Sequence, residues 1–487
     1  MELQPRQRRE DLRVLFIAAE ADPLIKMGGL GDVAGSLPIA LKQARPGMDI
    51  RLALPHYHGI NTAFSIKFIS SFSILSETGP IRVDVSLTEV NGLPIYLIGG
   101  DPLHAKEPVY PKDNVILTER FIFFSLACLN LPAHLGWPID VLHANDWHTA
   151  VALHALRDRE IHNEATENTR SILTVHNLPY MGSGSENAMH RFLVKPALNP
   201  DLPEWARMIP LPMGLNAADR IVPVSPGYAN EILTSDYGCD LQNFLLTKKQ
   251  NIVGIVNGID YACWDPQKDP DVVRNYAMGS IANRITNKQS IQNEMQLPTK
   301  KDTPLFAVIG RLDRQKGLDI IIDVFTRMEE TEWQLVVLAF GNDESLRKSL
   351  LALQKKYPTR VRFKEEMNLA LSRRLYSSAD MLLMPSRYEP CGLAQMIAMH
   401  YGCIPIATAT GGLKDTIRDY SSDPAIATGF LSAAPEVDLF AKQVKVAISV
   451  FKEHSIWEKM QQNGMGTDFS WNKPAGQYLS LYEDLTR

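Results

Sequence analysis

Leu305-Phe306-Ala307-Val308-Ile309-Gly310-Arg311-Leu312-Asp313-Arg314-Gln315-Lys316-Gly317 is the stretch that decides the fold. Its first five residues are all apolar, too few for a helix and without polar alternation, so they read as a strand covered on both faces. Gly310 and Gly317 bracket a polar loop, and an amphipathic segment follows, which gives strand, loop and helix in turn. Working outward, the same unit recurs around apolar runs at 335–338, 361–363, 381–384 and 404–407. An earlier series lies at 14–18, 50–54, 141–143, 171–175, 221–224 and 252–256. Two such series predict an α/β chain of two doubly wound domains with parallel sheets. The first gains an antiparallel addition, because residues 81–88 alternate strictly, Asn91-Gly92 supplies a two-residue turn, and 94–98 return.

The seam is expected at Asn257-Gly258-Ile259-Asp260 and the proline-containing polar run 264–270. A chain of 487 residues exceeds one compact core, in agreement with two domains. A net charge of −5 excludes a general attraction to nucleic acid or an anionic membrane, so any anion site must be built locally. The five cysteines form no CxxC pair, which points to a reducing compartment rather than a disulfide scaffold. Residues 1–10 are charged and lack an apolar core, so no secretory signal is expected, and no apolar run reads as long enough to span a bilayer. These features describe a cytoplasmic protein with no nucleic-acid or membrane partner, and they carry no signal for an oligomeric state.

In an open parallel sheet, ligands sit beyond the carboxyl ends of the strands, and with two such sheets the cleft between them is the expected site. Lys26-Met27-Gly28-Gly29-Leu30-Gly31-Asp32 follows the first strand and opens a helix. Gly28 and Gly29 let backbone N–H groups approach an anion, with Lys26 adding a full charge; a plain strand-to-helix turn accounts for the glycines equally well. Arg311 and Lys316 stand at a strand end and suit a diphosphate leaving group, although paired cations are more often solvated surface residues. Glu389, bracketed by Pro385, Pro390 and Gly392, would accept sugar hydroxyls or stabilise positive charge on a sugar ring; it would also serve as a cap for the following helix. Thr410-Gly411-Gly412 opens another helix, as a phosphate cradle or as a simple turn. His143, Asp146, His148, His176 and Asn177 end strands on the same side, where they reach a sugar or act as structural polar groups. No HExxH or carboxylate-rich cluster accompanies them, so no metal site is expected.

Together these loops resemble the glycogen/starch synthase family. The resemblance rests on Lys26-x-Gly-Gly-Leu, Asp146-Trp-His, His176-Asn-Leu, Val224-Ser-Pro with Tyr228, Asn257-Gly-Ile-Asp260, Gly310-Arg-Leu with Lys316-Gly, Glu389-Pro-Cys-Gly-Leu-x-Gln395, Thr410-Gly-Gly-Leu and Asp468-Phe-Ser-Trp471, in family order from about residue 13 to 485. It implies a GT-B fold of two Rossmann-like domains, 1–257 completed by a C-terminal helix at 466–487, and 258–465. It also implies metal-independent transfer of glucose, with retention, from ADP-glucose as co-substrate to an α-1,4-glucan, with no bound cofactor. Carried onto this chain, Lys26 lies near the donor and the growing end, Gly28 and Gly29 in the donor loop, and Asp32 near the donor phosphates. Arg311 and Lys316 hold the diphosphate, His176 lies at the transferred glucose, and Asp146 and Asn257 contact the sugar. Glu389, Cys391, Gly392 and Leu393 line the glucose site, and Thr410 and Gly411 supply phosphate donors.

Three places depart from the family pattern: Pro212-Met213-Gly214 where Lys-x-Gly is usual, Gly238-Cys239-Asp240-Leu241 where Gly-x-Gly-Leu is usual, and Thr408 where an arginine is common. Residues 182–207 also match poorly. These departures bear on acceptor binding and rate more than on fold. Two other readings fit the same residues: a retaining GT-B transferase with another donor or acceptor, and a weakly active homologue that binds glucan or nucleotide sugar. Intact Lys26, Arg311, Lys316 and Glu389 favour an enzyme.

Overall fold

The computed structural model describes residues 12–60, 63–103, 107–158 and 164–487; the charged segment at 1–10, read above for a signal, lies outside them. The chain forms two units, residues 12–258 with Trp471–Arg487, and Ile259–Ser470. The first contains β1 (Arg13–Ile17), β2 (Asp49–Pro55), β3 (Lys67–Ser76), β4 (Gly79–Val90), β5 (Leu93–Gly100), β6 (Val141–Asn145), β7 (Arg170–Val175) and β8 (Arg220–Pro223). They lie in one sheet in the order β3-β4-β5-β2-β1-β6-β7-β8. Every pair from β5 to β8 is parallel, while β3 and β4 are antiparallel additions. The β4–β5 turn is Asn91-Gly92, both with positive φ, the primed geometry that matches strand twist.

The second unit contains β9 (Leu305–Arg311), β10 (Gln334–Phe340), β11 (Val361–Lys364), β12 (Met381–Met384), β13 (Ile404–Thr408) and β14 (Phe430–Ser432). Their order is β11-β10-β9-β12-β13-β14 and all pairs are parallel. Both parallel sheets thus wind outward in one direction and then reverse, at β1/β6 and at β9/β12. Such reversals leave a crevice beyond the carboxyl ends of the two central strands. β9 and β12 are paired only through Phe306 and Ala307 against Met381 and Leu382, so pairing lapses towards the ends from which the loops leave.

Four expectations change. Residues 252–256 run beside β8 and donate from Val253 and Ile255 to the carbonyls of Ile221 and Pro223, but form no strand. Pro223 has no N–H to return a bond, which interrupts the ladder. β3 and the three-residue β14 were not anticipated. Ile259 donates to the Phe469 carbonyl at 2.8 Å, so residues 466–470 stay with the second unit, and the return to the first begins at Trp471, which packs on Gly258. The helix Asn114–His134 is long and apolar enough to cross a membrane by length and composition, contrary to the reading of the sequence. Its apolarity has another cause in this fold: Phe121, Phe123 and Phe124 are fully buried, as expected of a helix covered on nearly all sides.

The C-terminal helix Asn472–Thr486 closes the core of the first unit with Ala475, Tyr478 and Tyr482. His143 on β6 holds it: its Nδ1 meets the Tyr482 hydroxyl at 2.6 Å and its Nε2 the Thr174 hydroxyl at 2.7 Å. This histidine is structural.

Candidate active site

In the first unit the reversal collects loops after β1, β6 and β7. The loop after β1 carries Glu20, a buried carboxylate that the sequence motifs do not mark. It accepts the N–H of Met27, that of Gly28 at 3.0 Å, and the Tyr110 hydroxyl at 3.1 Å. Burial pushes this carboxyl up, against the pull of those three bonds. The expectation that Gly28 offers its N–H to an anion is therefore corrected: that group, like the N–H of Met27, is engaged by a carboxylate. Lys26 pairs with Asp32 at 2.6 Å, so the carboxylate read as near the donor phosphates holds the lysine. Asp32 lies in the first turn of the helix Gly29–Ala44, where the dipole favours a negative charge.

Asp146 follows β6 at φ 56° and ψ −174°, a glycine-favoured region that costs another residue about 1–3 kcal/mol. Its Oδ1 accepts the N–H of His176 at 2.7 Å and that of Asn177 at 3.4 Å. Burial raises its pKa to about 7. The carboxylate reaches the backbone of the next strand-end loop and thereby sets His176. Asn145 Nδ2 donates to the Ile17 carbonyl at 3.0 Å, which turns its Oδ1 towards His176 Nε2, also at 3.0 Å. A carbonyl oxygen only accepts, so Nε2 carries the proton and Nδ1 keeps the lone pair. Burial lowers the His176 pKa to about 3, and the imidazole is neutral at physiological pH. His148 is buried against Trp147, Phe121 and Tyr110, and its Nδ1 has no partner among the described residues. Asn257 is likewise buried, with Oδ1 unpartnered among them.

In the second unit the loops after β9 and β12 meet. Lys316 Nζ lies 2.9 and 2.6 Å from the two carboxylate oxygens of Glu389, and Ser386 Oγ donates to Oε2 at 3.0 Å. Glu389 is thus no helix cap; the next helix, Ala394–His400, has no side-chain cap. Gly317 makes the approach possible: its φ is 70°, and a Cβ there would stand 2.1 Å from the Pro385 carbonyl oxygen. Arg311 donates to Asp313 at 3.0 Å and to Gln315 Oε1 at 2.6 Å, and Gln315 Nε2 reaches the Tyr388 carbonyl at 3.2 Å. Arg387 makes a two-pronged pair with Asp319 at 2.9 and 2.6 Å. The two loops are therefore stitched at several points besides the Lys316–Glu389 pair.

Cys391 is buried, and its carbonyl accepts from Gln395 Nε2 at 3.0 Å, as does that of Gly392 at 2.8 Å. Gly412 packs on the Cys391 backbone so closely that a Cβ would lie 2.2 Å from its oxygen. The N–H of Gly412 goes to the Glu389 carbonyl at 3.0 Å and that of Thr410 to the Thr408 carbonyl at 2.9 Å, so two backbone donors of the expected cradle are engaged within the unit. Leu393 stands at the N-cap of the helix Ala394–His400. The structure so brings the predicted residues together as two clusters: Lys26, Gly28, Gly29, Asp32, Asp146 and His176 in the first unit, and Arg311, Lys316, Glu389, Cys391, Gly392, Thr410 and Gly411 in the second. Glu20, Tyr110, Asn145, Gln315, Ser386 and Arg387 were missed. Glu20 alone carried a usable signal, a carboxylate three residues beyond a buried strand.

Two of the three departures have local accounts, and nothing in the structure explains Thr408. Pro212 lies in the first turn of the helix Pro210–Ala217, where no intrahelical N–H is required. Gly214 permits close packing on Ala150. Cys239 and Asp240 adopt positive φ, 51° and 62°, so the turn keeps a glycine-like course without glycine.

Residues 13–247 match the family described as starch synthase catalytic domain, and residues 290–463 match glycosyl transferases group 1. The chain is 34% identical to a glycogen synthase of Clostridium perfringens, across 98% of this chain and 99% of that one. It is 36% identical to a glycogen synthase of Nitrosomonas europaea, across 97% and 98% respectively. Among solved structures it resembles the catalytic domain of starch synthase IV from Arabidopsis thaliana, bound to ADP and acarbose, with a TM-score of 0.89 and 28% identity over 98% of this chain and 99% of that one. The two parallel α/β units are the Rossmann-like domains of the GT-B fold. Both sheets, the motif-bearing loops and the full-length likeness agree, and the chain belongs to the glycogen/starch synthase family of glycosyltransferases.

Proposed function

We infer that the chain lengthens an α-1,4-glucan by moving glucose from ADP-glucose to its non-reducing end, with retention and without a metal. The observation that carries this reading is the Lys316–Glu389 pair at the reversal of the second sheet, with Arg311 on the adjoining strand end. Breaking a glycosyl–phosphate bond places negative charge on the leaving diphosphate and positive character on the sugar ring. Two fixed cations answer the first, and a buried carboxylate answers the second. Thr410 and Gly411 add neutral donors for phosphate, while Cys391, Gly392 and Leu393 shape the wall around Glu389. In the first unit Lys26 serves the donor and the growing end, and Asp32 holds it from the helix that Gly29 opens. Neutral His176 meets the transferred glucose through its Nδ1 lone pair. Asp146 fixes that histidine, and Asn257 offers an acceptor, unpartnered among the described residues, for a sugar hydroxyl.

Glu389, the carboxylate read at the sugar, has both oxygens held by Lys316, so it is assigned to charge stabilisation and not to a covalent glycosyl intermediate. Retention then follows from attack on the face the diphosphate leaves, with a phosphate oxygen taking the acceptor proton. All five cysteines are free thiols, in keeping with a reducing cytoplasmic setting. The ADP bound to the Arabidopsis relative favours ADP-glucose as donor. The test is glucosyl transfer to a maltooligosaccharide from ADP-glucose and from UDP-glucose, each in EDTA. Extension from ADP-glucose is expected. Extension from UDP-glucose alone would overturn the donor, and glucan binding without extension would overturn the enzymatic reading.

A further inference from the structure

We propose that Glu20 is a positioning residue for glucosyl transfer, acting through Lys26; this rests on the catalytic reading of Lys26 given above. Glu20 is buried and makes its bonds to the N–H groups of Met27 and Gly28 and to the Tyr110 hydroxyl. A buried carboxylate needs such donors, and two of the three come from the residues that immediately follow Lys26. The carboxylate and the lysine also share a neighbour. A methyl group on Gly31 would stand 3.0 Å from Glu20 Oε2 and 3.2 Å from Lys26 Cγ, so the bare Gly31 backbone separates the two side chains. Asp22 donates to the Gly31 carbonyl at 2.9 Å, which ties the stretch beyond Glu20 to the start of the helix.

Lys26 has a four-carbon stem and adopts many rotamers when unrestrained. Two groups restrict it: Asp32 at the ammonium and the Glu20-clamped backbone at the root. Glu20 is held in turn. Tyr110 follows Pro108 and Val109, whose carbonyls accept from the buried guanidinium of Arg120 at 2.6 and 2.9 Å. A connected path of hydrogen bonds therefore runs from the core helix Asn114–His134 to the loop that bears the lysine.

The experiment is a double-mutant cycle on the full-length protein, with Glu20→Ala, Lys26→Ala and both together. It reads kcat and KM for a maltooligosaccharide and the nucleotide sugar, and melting curves establish that each variant is folded. Losing two bonds to a charged acceptor is expected to lower kcat about tenfold or more in Glu20→Ala, with KM changed less than about threefold. In the Lys26→Ala background the same change should cost less than about twofold, because a group acting through the lysine has nothing left to position. Glu20→Gln, which keeps the shape and an acceptor for the loop, should recover kcat to within about threefold of the parent. Should Glu20→Ala fail to fold, Tyr110→Phe takes its place in the cycle, with an expected loss of about threefold that vanishes without Lys26. Losses that multiply in the double variant, or a parental kcat in Glu20→Ala, would overturn the proposal. The parent's own turnover is measured alongside, so additive losses in an active parent overturn the positioning role and leave the function reading intact.

Discussion

Replacing Lys316 by alanine separates its two roles in the second unit. Structurally it neutralises Glu389, whose side chain is 7% exposed and also accepts from the Ser386 hydroxyl. Breaking a buried pair costs about 3–5 kcal/mol; the lysine is 24% exposed, so water relieves part of this and about 2–3 kcal/mol is the expected loss. In a unit of this size that lowers Tm by about 4–12 °C. Chemically, removing one fixed donor from a developing anion costs about 100- to 1000-fold in kcat, or about 2.7–4 kcal/mol of barrier. The assay is steady-state transfer from ADP-glucose to a maltooligosaccharide at a temperature below the variant's melting onset, paired with calorimetry for glucan affinity. The expected result is a collapse of kcat with glucan binding within about threefold of the parent. A kcat within tenfold of the parent, with the Tm loss present, would show that Lys316 only supports Glu389. Equal losses in turnover and glucan binding would refute its assignment to the leaving group.

Three further outcomes follow from the geometry. Gly317→Ala forces a Cβ to within 2.1 Å of the Pro385 oxygen at φ 70°, so it should cost about 2–4 kcal/mol in a thermal melt and carry kcat down with it. Leu193 is exposed and held at φ 57°; Leu193→Gly should raise stability by about 0.5–1 kcal/mol, because the left-handed penalty outweighs the added chain entropy, and urea denaturation checks it. Asp146 has a folded pKa of about 7, above its unfolded value, so its contribution is fully present at acid pH and is lost as pH rises towards 7. The stability of the parent relative to Asp146→Asn should therefore fall by up to about 4 kcal/mol between pH 4 and pH 7 and then level off, and a flat difference would refute the raised pKa.

The strands of both parallel sheets were legible because burial on two faces demands unbroken apolar runs, as in 305–309 and 404–407. β3 was not, since its outer positions Lys67, Phe68 and Ile69 are exposed on an edge and its serines dilute the alternation. The failure at 252–256 lies in the neighbour and not in the segment: an apolar run cannot reveal that its partner strand ends in Pro223. The helix Asn114–His134 was overlooked because Glu119 and Arg120 interrupt its apolar run, yet Arg120 is buried and bonds to backbone carbonyls. Site residues were legible where a glycine-bracketed loop follows a strand, as with Lys316 and Glu389. Their contact across 73 positions was not, and Glu20 was legible only as a carboxylate beyond a buried strand, because its partners are two backbone N–H groups and the distant Tyr110 hydroxyl.

Each of the three cations read as anion-binding is held by a carboxylate: Lys26 by Asp32 at 2.6 Å, Arg311 by Asp313 at 3.0 Å and Lys316 by Glu389 at 2.6 Å. Pairing of this kind reconciles a net charge of −5 with sites for a diphosphate, since the positive groups are placed locally and fixed individually. It also bears on rate. An ammonium carries three N–H donors and a guanidinium five, so Lys316 facing two carboxylate oxygens, and Arg311 facing Asp313 and Gln315, keep donors to spare while their positions are set. Cations already satisfied in part attract a ground-state diphosphate less strongly than bare ones would. Their remaining donors gain most as charge builds on the leaving oxygen, and interactions that strengthen only then lower the barrier. On the proposed reading the carboxylates beside these cations are part of the same device: they would reduce uniform binding while keeping the donors aimed.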